Sequence, residues 1–171
     1  MLNLINNLAP FFEDCYRRIN VREYARITKI SPPTASKLLN QYHKQVLLNR
    51  SEELRHLFFH ANAKSKDFID LSRIYWRRRL KGLIAELEKK LTLPAAVLFG
   101  SLAKGEAKID SDIDIWIFSQ LKGSFNEKLF EKELGRKISI FQSRSVGTIK
   151  NINLRNNVLN GYLLFGRLKW K

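Results

Sequence analysis

The most constraining feature of the sequence is the segment Val97–Phe118, which reads VLFGSLAKGEAKIDSDIDIWIF. It begins within a short apolar run, Ala95–Phe99, of the length expected for a buried strand. Gly100 then allows the backbone to turn tightly, and Ser101 opens a helix with its hydroxyl beside backbone N–H groups that lack a helical partner. Such a turn suits the phosphates of a nucleotide, because phosphate oxygens accept hydrogen bonds from these groups.

Two aspartates stand at the head of the next predicted strand, Ile113–Phe118. Asp112 and Asp114 are separated by one residue, so the two-residue period of a strand sends both carboxylates to the same face, about 7 Å apart at Cβ. Carboxylates at this spacing can hold a hard divalent cation that also takes oxygens from a triphosphate. Taken alone, the alternation is more typical of the exposed face of a half-buried strand than of a metal site.

These elements together resemble the minimal nucleotidyltransferases of the DNA polymerase beta superfamily, over roughly Leu93 to Phe165. The resemblance implies that a nucleotidyl group passes from a nucleoside triphosphate, by expectation ATP, to an acceptor, with Mg²⁺ or Mn²⁺ as cofactor. It implies that Asp112 and Asp114 are the metal-binding and catalytic residues. The residues that it implies for nucleotide binding are Gly100, Ser101, Lys104, Gly105 and Ser111.

The sequence departs from that family at one position. Active members usually carry a third carboxylate on a following strand, where it binds the catalytic metal and helps to deprotonate the acceptor. Here the strand is Gly135–Phe141, and its alternation places Ser139 at that position. A serine hydroxyl is neutral and takes no proton readily at neutral pH. Glu133, Asp110 or a group of the acceptor could substitute, so both turnover and a degenerate, nucleotide-sensing site stay open.

The N-terminal part predicts two short helices joined by a tight turn. Asn20 followed by Glu23 forms an Asn variant of the capping box, and Ser31 caps a second helix. With the strand-turn-strand pattern of VLLNR, SEELRH and LFFHAN, this region resembles the winged helix-turn-helix domains of prokaryotic regulators over about residues 9–62. A helical hairpin used for packing or dimerisation is the alternative. The predicted buried stripe of the second helix is Ala35, Leu38, Leu39 and Tyr42.

The charge of the chain favours a polyanionic partner. Lysine and arginine number 31 against 16 acidic residues, a formal net charge of +15. DNA is the expected partner of the second helix, while resemblance to the antitoxin branch of minimal nucleotidyltransferases implies a protein acceptor such as a toxin. The fusion of the two domains resembles an archaeal type of protein. The residues predicted to contact DNA are Thr34, Ser36, Lys37, Asn40, Gln41 and Lys44.

A single long helix is predicted from Ser65 to Leu91, because its apolar residues recur mostly at threes and fours. We expect it to link two domains and to offer an apolar face through which two copies could pair. The expected fold class is α+β, with a C-terminal mixed sheet and flanking helices. The predicted domains are 1–64, 65–92 and 93–171, and the later elements are a helix at 126–134, a strand at 137–142, a helix near 146–160 and a strand at 162–165.

The single cysteine, Cys15, needs no oxidising compartment, and the sequence carries neither a recognisable signal peptide nor a window of about 18 apolar residues. A cytoplasmic protein that does not span a membrane is therefore expected. His56 and His60 lie four residues apart but lack the glutamate of a zinc-protease helix, so they are predicted to lie on a wing strand. Trp76, Trp116 and Trp170 are expected to anchor cores or interfaces rather than to stack on bases.

Overall fold

The computed structural model describes residues 2–90, 95–118 and 126–168. The chain divides into two compact units, Met1–Tyr75 with Gly105–Ile109, and Trp76–Lys104 with Asp110–Lys171. Both units combine helices with a sheet, so the predicted α+β class is confirmed. The predicted linker, residues 65–92, is divided between the units, because the first unit includes it up to Tyr75 and the second from Trp76 onward. The predicted domain boundary near residues 91–94 lies outside the described residues.

The first unit is a small sheet covered by helices. Its described elements are α1 (Leu2–Glu13), β1 (Ile19–Asn20), α2 (Val21–Thr28), α3 (Pro32–Lys44), β2 (Leu48–Glu53), β3 (His56–Ala61) and the first part of α4 (Lys66–Arg79). The strands are antiparallel in the order β1-β3-β2. The buried core includes Leu8, Phe11, Tyr24, Phe59 and Phe68.

Helices α2 and α3 begin where the capping residues predict. The side chain of Asn20 accepts a hydrogen bond from the Glu23 N–H at 2.9 Å, and that of Ser31 accepts one from the Thr34 N–H at 3.4 Å. Helix α2 ends at Lys29, which adopts φ 57. Within the predicted stripe of α3, three residues are buried and Leu38 is half-buried.

The hairpin that follows α3 is tighter than predicted. The strands pair from Leu48 with Ala61 to Glu53 with His56, so the predicted turn over 51–56 is wrong and shrinks to two residues. Leu54 and Arg55 adopt φ 49 and φ 63, and positive φ at both central residues suits the right-handed twist of the flanking strands. The strand pairing therefore continues closer to the tip of the hairpin than predicted.

The predicted single helix from Ser65 is wrong. It divides at Leu80 into α4 and α5 (Lys81–Lys90), although the Leu80 N–H still donates to the Trp76 carbonyl at 2.9 Å. The apolar residues of the predicted helix serve both units. Phe68 is part of the first core, whereas Trp76 and Leu83 are buried in the second unit, which begins after Tyr75 within α4. A continuous apolar period therefore does not require a continuous helix.

The second unit contains a four-stranded mixed sheet, as predicted. Its described elements after α5 are β4 (Ala96–Phe99), α6 (Gly100–Lys104), β5 (Ile113–Ile117), α7 (Glu127–Leu134), β6 (Ile138–Gln142), α8 (Ile152–Leu159) and β7 (Tyr162–Phe165). The strand order is β6-β5-β4-β7, and β5 runs parallel to β6 but antiparallel to β4.

The predicted helix near 146–160 is wrong in its first half. A 3₁₀ turn at Val146–Thr148 precedes α8, and the two are separated by Ile149, Lys150 and Asn151. The side chain of Asn151 caps α8 by accepting from the Leu154 N–H at 3.0 Å, so the α-helix starts anew at that residue. Ile149 is buried in a cluster with Val97 and Phe99 of β4, and its extended backbone, with φ −76 and ψ 103, interrupts the helix.

Candidate active site

The site is built where β4 ends beside the start of β5. Antiparallel pairing places Phe99 opposite Asp114, so Gly100 lies directly against the aspartate. Gly100 has φ 72, and a Cβ atom added there would overlap a carboxylate oxygen of Asp114 and approach its Cγ to 3.3 Å. Glycine is therefore required at this position both by the backbone conformation and by the space that the carboxylate occupies.

Asp112 precedes β5 instead of lying on it, which corrects the prediction that both aspartates belong to the strand. The strand ladder begins with the Ile113 N–H, which donates to the Lys137 carbonyl at 2.8 Å. Asp112 is exposed and Asp114 is half-buried. Burial, and secondarily the negative charge of Asp112, raises the pKa of Asp114.

The two carboxylates lack a positive partner within residues 2–90, 95–118 and 126–168, where neither makes a hydrogen bond or a salt bridge. Across the same residues, no group of three or more His, Cys, Asp or Glu side chains could hold a metal ion. The pair fits Mg²⁺, because this ion is commonly held by one or two carboxylates together with substrate phosphates and water. A cation there would also relieve the repulsion between Asp112 and Asp114.

Ser139 lies where the alternation predicts. The parallel register of β5 and β6 pairs it with Asp114. A carboxylate at this position would lie next to Asp114, and the serine leaves a neutral hydroxyl in its place. The alternatives Asp110 and Glu133 are both exposed, and Glu133 lies on α7 rather than on a strand of the sheet.

The residues predicted to bind a nucleotide lie in different surroundings. Ser101 is the second residue of α6 and is half-buried. Lys104 donates to the Asn157 side chain at 3.0 Å. Gly105 belongs to the first unit and has φ 69; a Cβ there would lie 3.2 Å from the Ile69 side chain, so conformation and packing already require glycine. The carbonyl of Ser111 accepts from Arg136 at 2.8 Å. The roles of these residues in nucleotide binding stay predictions.

Two features of the site escaped the sequence reasoning. Arg136 is buried, with 6% of its surface exposed, and its hydrogen bond to the Ser111 carbonyl lies next to Asp112.

The second feature is a cluster of aromatic side chains on the same sheet. Trp116 stacks on Phe141 at 5.4 Å between ring centroids and also contacts Phe99. Trp116 is buried, as expected of a core anchor, whereas Trp170 lies outside the described residues. A basic residue just before the strand of Ser139 was the available signal for Arg136.

A second candidate surface is the exposed face of α3. Lys37, Gln41 and Lys44 are exposed and extend from one side of the helix. The other predicted DNA-contacting residues already have partners within the protein: Thr34 with Ser31 at 2.8 Å, and Asn40 with the Ser36 carbonyl at 2.8 Å. The face is therefore partly engaged in local hydrogen bonds, and its contact with DNA stays a prediction.

A cleft of about 790 Å³ lies between α2 and β3 in the first unit. Arg22, Arg26 and Arg55 line it and are exposed; within the part of the chain that the structure describes, they make no hydrogen bond or salt bridge. The acidic lining residue Glu23 is already bound by Arg17 at 2.6 Å. The cleft therefore presents uncompensated positive charge, which the sequence patterns did not reveal.

The remaining candidate residues lie in the first unit. His56 and His60 lie on β3, as predicted. Cys15 is buried, and burial raises the pKa of its thiol to about 11, so little thiolate is present at neutral pH. Among the described residues, no helix combines the length and the apolar character needed to cross a membrane.

The raised pKa of Asp114 predicts a pH-dependent stability. Because the folded protein holds this proton more tightly than the unfolded chain, stability falls as the pH rises from the unfolded pKa through the folded one. We expect Asp114→Asn to raise the urea midpoint of the metal-free protein at pH 7, with a difference that disappears as the pH is lowered below this window. A midpoint of Asp114→Asn at or below that of the wild type at pH 7 would contradict the assignment.

Comparison with known proteins agrees with this geometry. None of the curated proteins with which the chain was compared matches it. The model of the family described as "Polymerase beta, Nucleotidyltransferase" matches residues 81–168, just over half of the 171 residues, and this range contains the Gly100 turn, both aspartates and Ser139. The chain therefore belongs to the polymerase beta nucleotidyltransferase family.

Proposed function

We propose that the chain is an ATP-dependent nucleotidyltransferase that modifies a hydroxyl group of a protein or nucleic acid. The observation that carries the proposal is the pair Asp112 and Asp114, which is uncompensated within the described residues, with Asp114 packed against Gly100. This arrangement combines a place for a cation with a place for phosphates in the region that matches the family.

In this reaction the acceptor oxygen forms a bond to the α-phosphorus of ATP, the bond from that phosphorus to the bridging oxygen breaks, and pyrophosphate leaves with the electron pair. Asp112 and Asp114 would hold Mg²⁺, which neutralises charge on the phosphates when bound. The backbone N–H groups at Gly100 and Ser101 would orient the β and γ phosphates. The acceptor proton passes to water, since Ser139 supplies no base.

The experiment follows the radioactive label of α-³²P ATP into acid-insoluble material and the release of pyrophosphate, with cell extract as the source of acceptors. We expect transfer with Mg²⁺ or Mn²⁺ by the wild type, and a loss of at least about a hundredfold in the Asp112→Asn, Asp114→Asn double variant. Glu127→Gln is the matched control, because it removes one exposed carboxylate of the same unit outside the site. Equal transfer by wild type and double variant would refute the proposal.

The second candidate is a DNA-binding regulator whose nucleotidyltransferase domain only senses a nucleotide. We infer that α2, α3 and the β2–β3 hairpin act as a winged helix-turn-helix, in line with their order, the capping of both helices and the antiparallel strands. The exposed lysines of α3 and the arginine-lined cleft support this candidate specifically. Binding of nucleotide without release of pyrophosphate would favour it over the enzyme.

The test for the regulator is the salt dependence of duplex DNA binding. Lys37→Ala with Lys44→Ala should weaken binding and reduce the slope of log K against log salt by about 2, because each lost phosphate contact contributes about 0.9. The control is Lys64→Ala with Lys66→Ala, which removes two exposed lysines of the same unit that are not part of α3. If both pairs behave alike, α3 is not the contact surface, and a response confined to Arg22→Ala with Arg26→Ala would move the contact to the cleft.

A further inference from the structure

Arg136 is a charged residue in an unusual place. It lies between Gly135, which ends α7 with φ 69, and the start of β6, and only 6% of its surface is exposed. Burial of a guanidinium is costly unless its donors are satisfied and its plane is packed. The position of its partners therefore indicates what the residue does.

The guanidinium group connects a tryptophan to the loop that carries the first aspartate. Its centre lies 4.9 Å from the centroid of the Trp76 ring, and Nη1 donates to the Ser111 carbonyl at 2.8 Å. A cation over an indole face is favourable, and it holds the plane of the guanidinium in place. The hydrogen bond is to the peptide group that joins Ser111 to Asp112.

A second hydrogen bond holds the other side of Asp112. The Ile113 N–H donates to the Lys137 carbonyl at 2.8 Å, so the residues before and after Asp112 are bound by two consecutive residues, Arg136 and Lys137. That segment is in turn attached to α7, because the Ile138 N–H donates to the Glu131 carboxylate at 3.0 Å. The backbone of Asp112 is thus fixed from both sides.

Asp112 depends on this support more than Asp114 does. Asp114 lies within β5 and against Gly100. Asp112 precedes the strand and is exposed, and its carboxylate accepts no hydrogen bond from a described residue. Its direction is therefore set by the backbone at Ser111. We propose that Arg136 is a positioning residue that aims the Asp112 carboxylate at the cation site, a role that rests on the proposed function.

The experiment measures Mn²⁺ binding by electron paramagnetic resonance, with and without ATP, in the full chain. Residues that orient metal ligands typically change metal affinity by about 10- to 100-fold when replaced. We expect a loss of this size in Arg136→Met and a smaller one in Arg136→Lys, because an ammonium group can still donate to the Ser111 carbonyl. Arg136→Lys also provides a readable variant if Arg136→Met does not fold.

Arg79→Met is the matched control. Arg79 belongs to the same unit and, like Arg136, donates to a backbone carbonyl, here that of Leu134 at 3.4 Å. We expect Arg79→Met to lower the thermal midpoint without changing Mn²⁺ affinity. If Arg136 had a purely structural role, its variants would also lose stability and keep their Mn²⁺ affinity. If both Arg136 variants bind Mn²⁺ with an affinity within about twofold of the wild type, the inference is overturned. If Asp112→Asn and Asp114→Asn also leave Mn²⁺ binding unchanged, the proposed function itself fails. This result is distinct from a failure of the Arg136 inference alone, in which the aspartate variants lose Mn²⁺ and the Arg136 variants do not.

Discussion

Replacement of Gly100 by alanine is expected to lower nucleotidyl transfer and Mn²⁺ affinity by about a hundredfold or more. The new methyl group would occupy the position of the Asp114 carboxylate oxygen, so the aspartate has to move. Displacement of a reacting or metal-binding group by about 1 Å is sufficient for a loss of this size. The positive φ of residue 100 adds a conformational cost of about 1–2 kcal/mol to the folded state.

Gly135→Ala separates these two effects. Gly135 has φ 69, close to the φ 72 of Gly100, but a Cβ there meets nothing within 4 Å. The two alanine variants should therefore lose similar stability in urea unfolding from backbone strain, while only Gly100→Ala should lose the bound Mn²⁺. Equal Mn²⁺ affinities in the two variants would show that the contact with Asp114 is unimportant.

The substitution Ser139→Asp is expected to increase transfer by about a hundredfold, the lower end of the usual contribution of a positioned general base. The β5–β6 register places residue 139 beside Asp114, so the new carboxylate can both bind a cation and take the acceptor proton. Three carboxylates without a cation repel one another, and the metal-free variant should therefore be less stable than the wild type.

Ser139→Asn is the appropriate control, because it is close in size to aspartate but has neither the charge nor the basicity. It should leave transfer near the wild-type rate and should not make stability depend more strongly on Mg²⁺. Transfer is measured as single-turnover release of pyrophosphate across a range of pH. If aspartate and asparagine at position 139 give the same rate, the acceptor proton is not removed at this position.

Local signals predicted much of the fold because they act within a few residues. The caps at Asn20 and Ser31 fixed the starts of two helices to the residue, and the two-residue alternation placed Ser139 opposite Asp114. The expected α+β class also follows from such local patterns. These features depend on hydrogen bonds and periodicities that the sequence displays directly.

The errors arose where contacts between distant residues decide the structure. The apolar period from Ser65 to Leu91 is continuous, yet the helix divides at Leu80 and its residues belong to two compact units. Arg136 was missed for the same reason, since Trp76 and Ser111 are 60 and 25 residues away along the chain. Its place next to the strand of Ser139 is a local signal, but nothing in the sequence shows which partners the folded sheet brings to it.

The backbone conformation of Gly100 changes how the Gly-Ser turn is to be interpreted in any chain with the same strand pairing. Residue 100 has a positive φ whether or not the site turns over, so a protein that had lost catalysis would still favour glycine there. The glycine of the turn is then a marker of the fold, and its presence carries little information about turnover. Position 139 places no such demand on folding, which makes the residue found there the more direct indicator of whether a member of this family is an active enzyme.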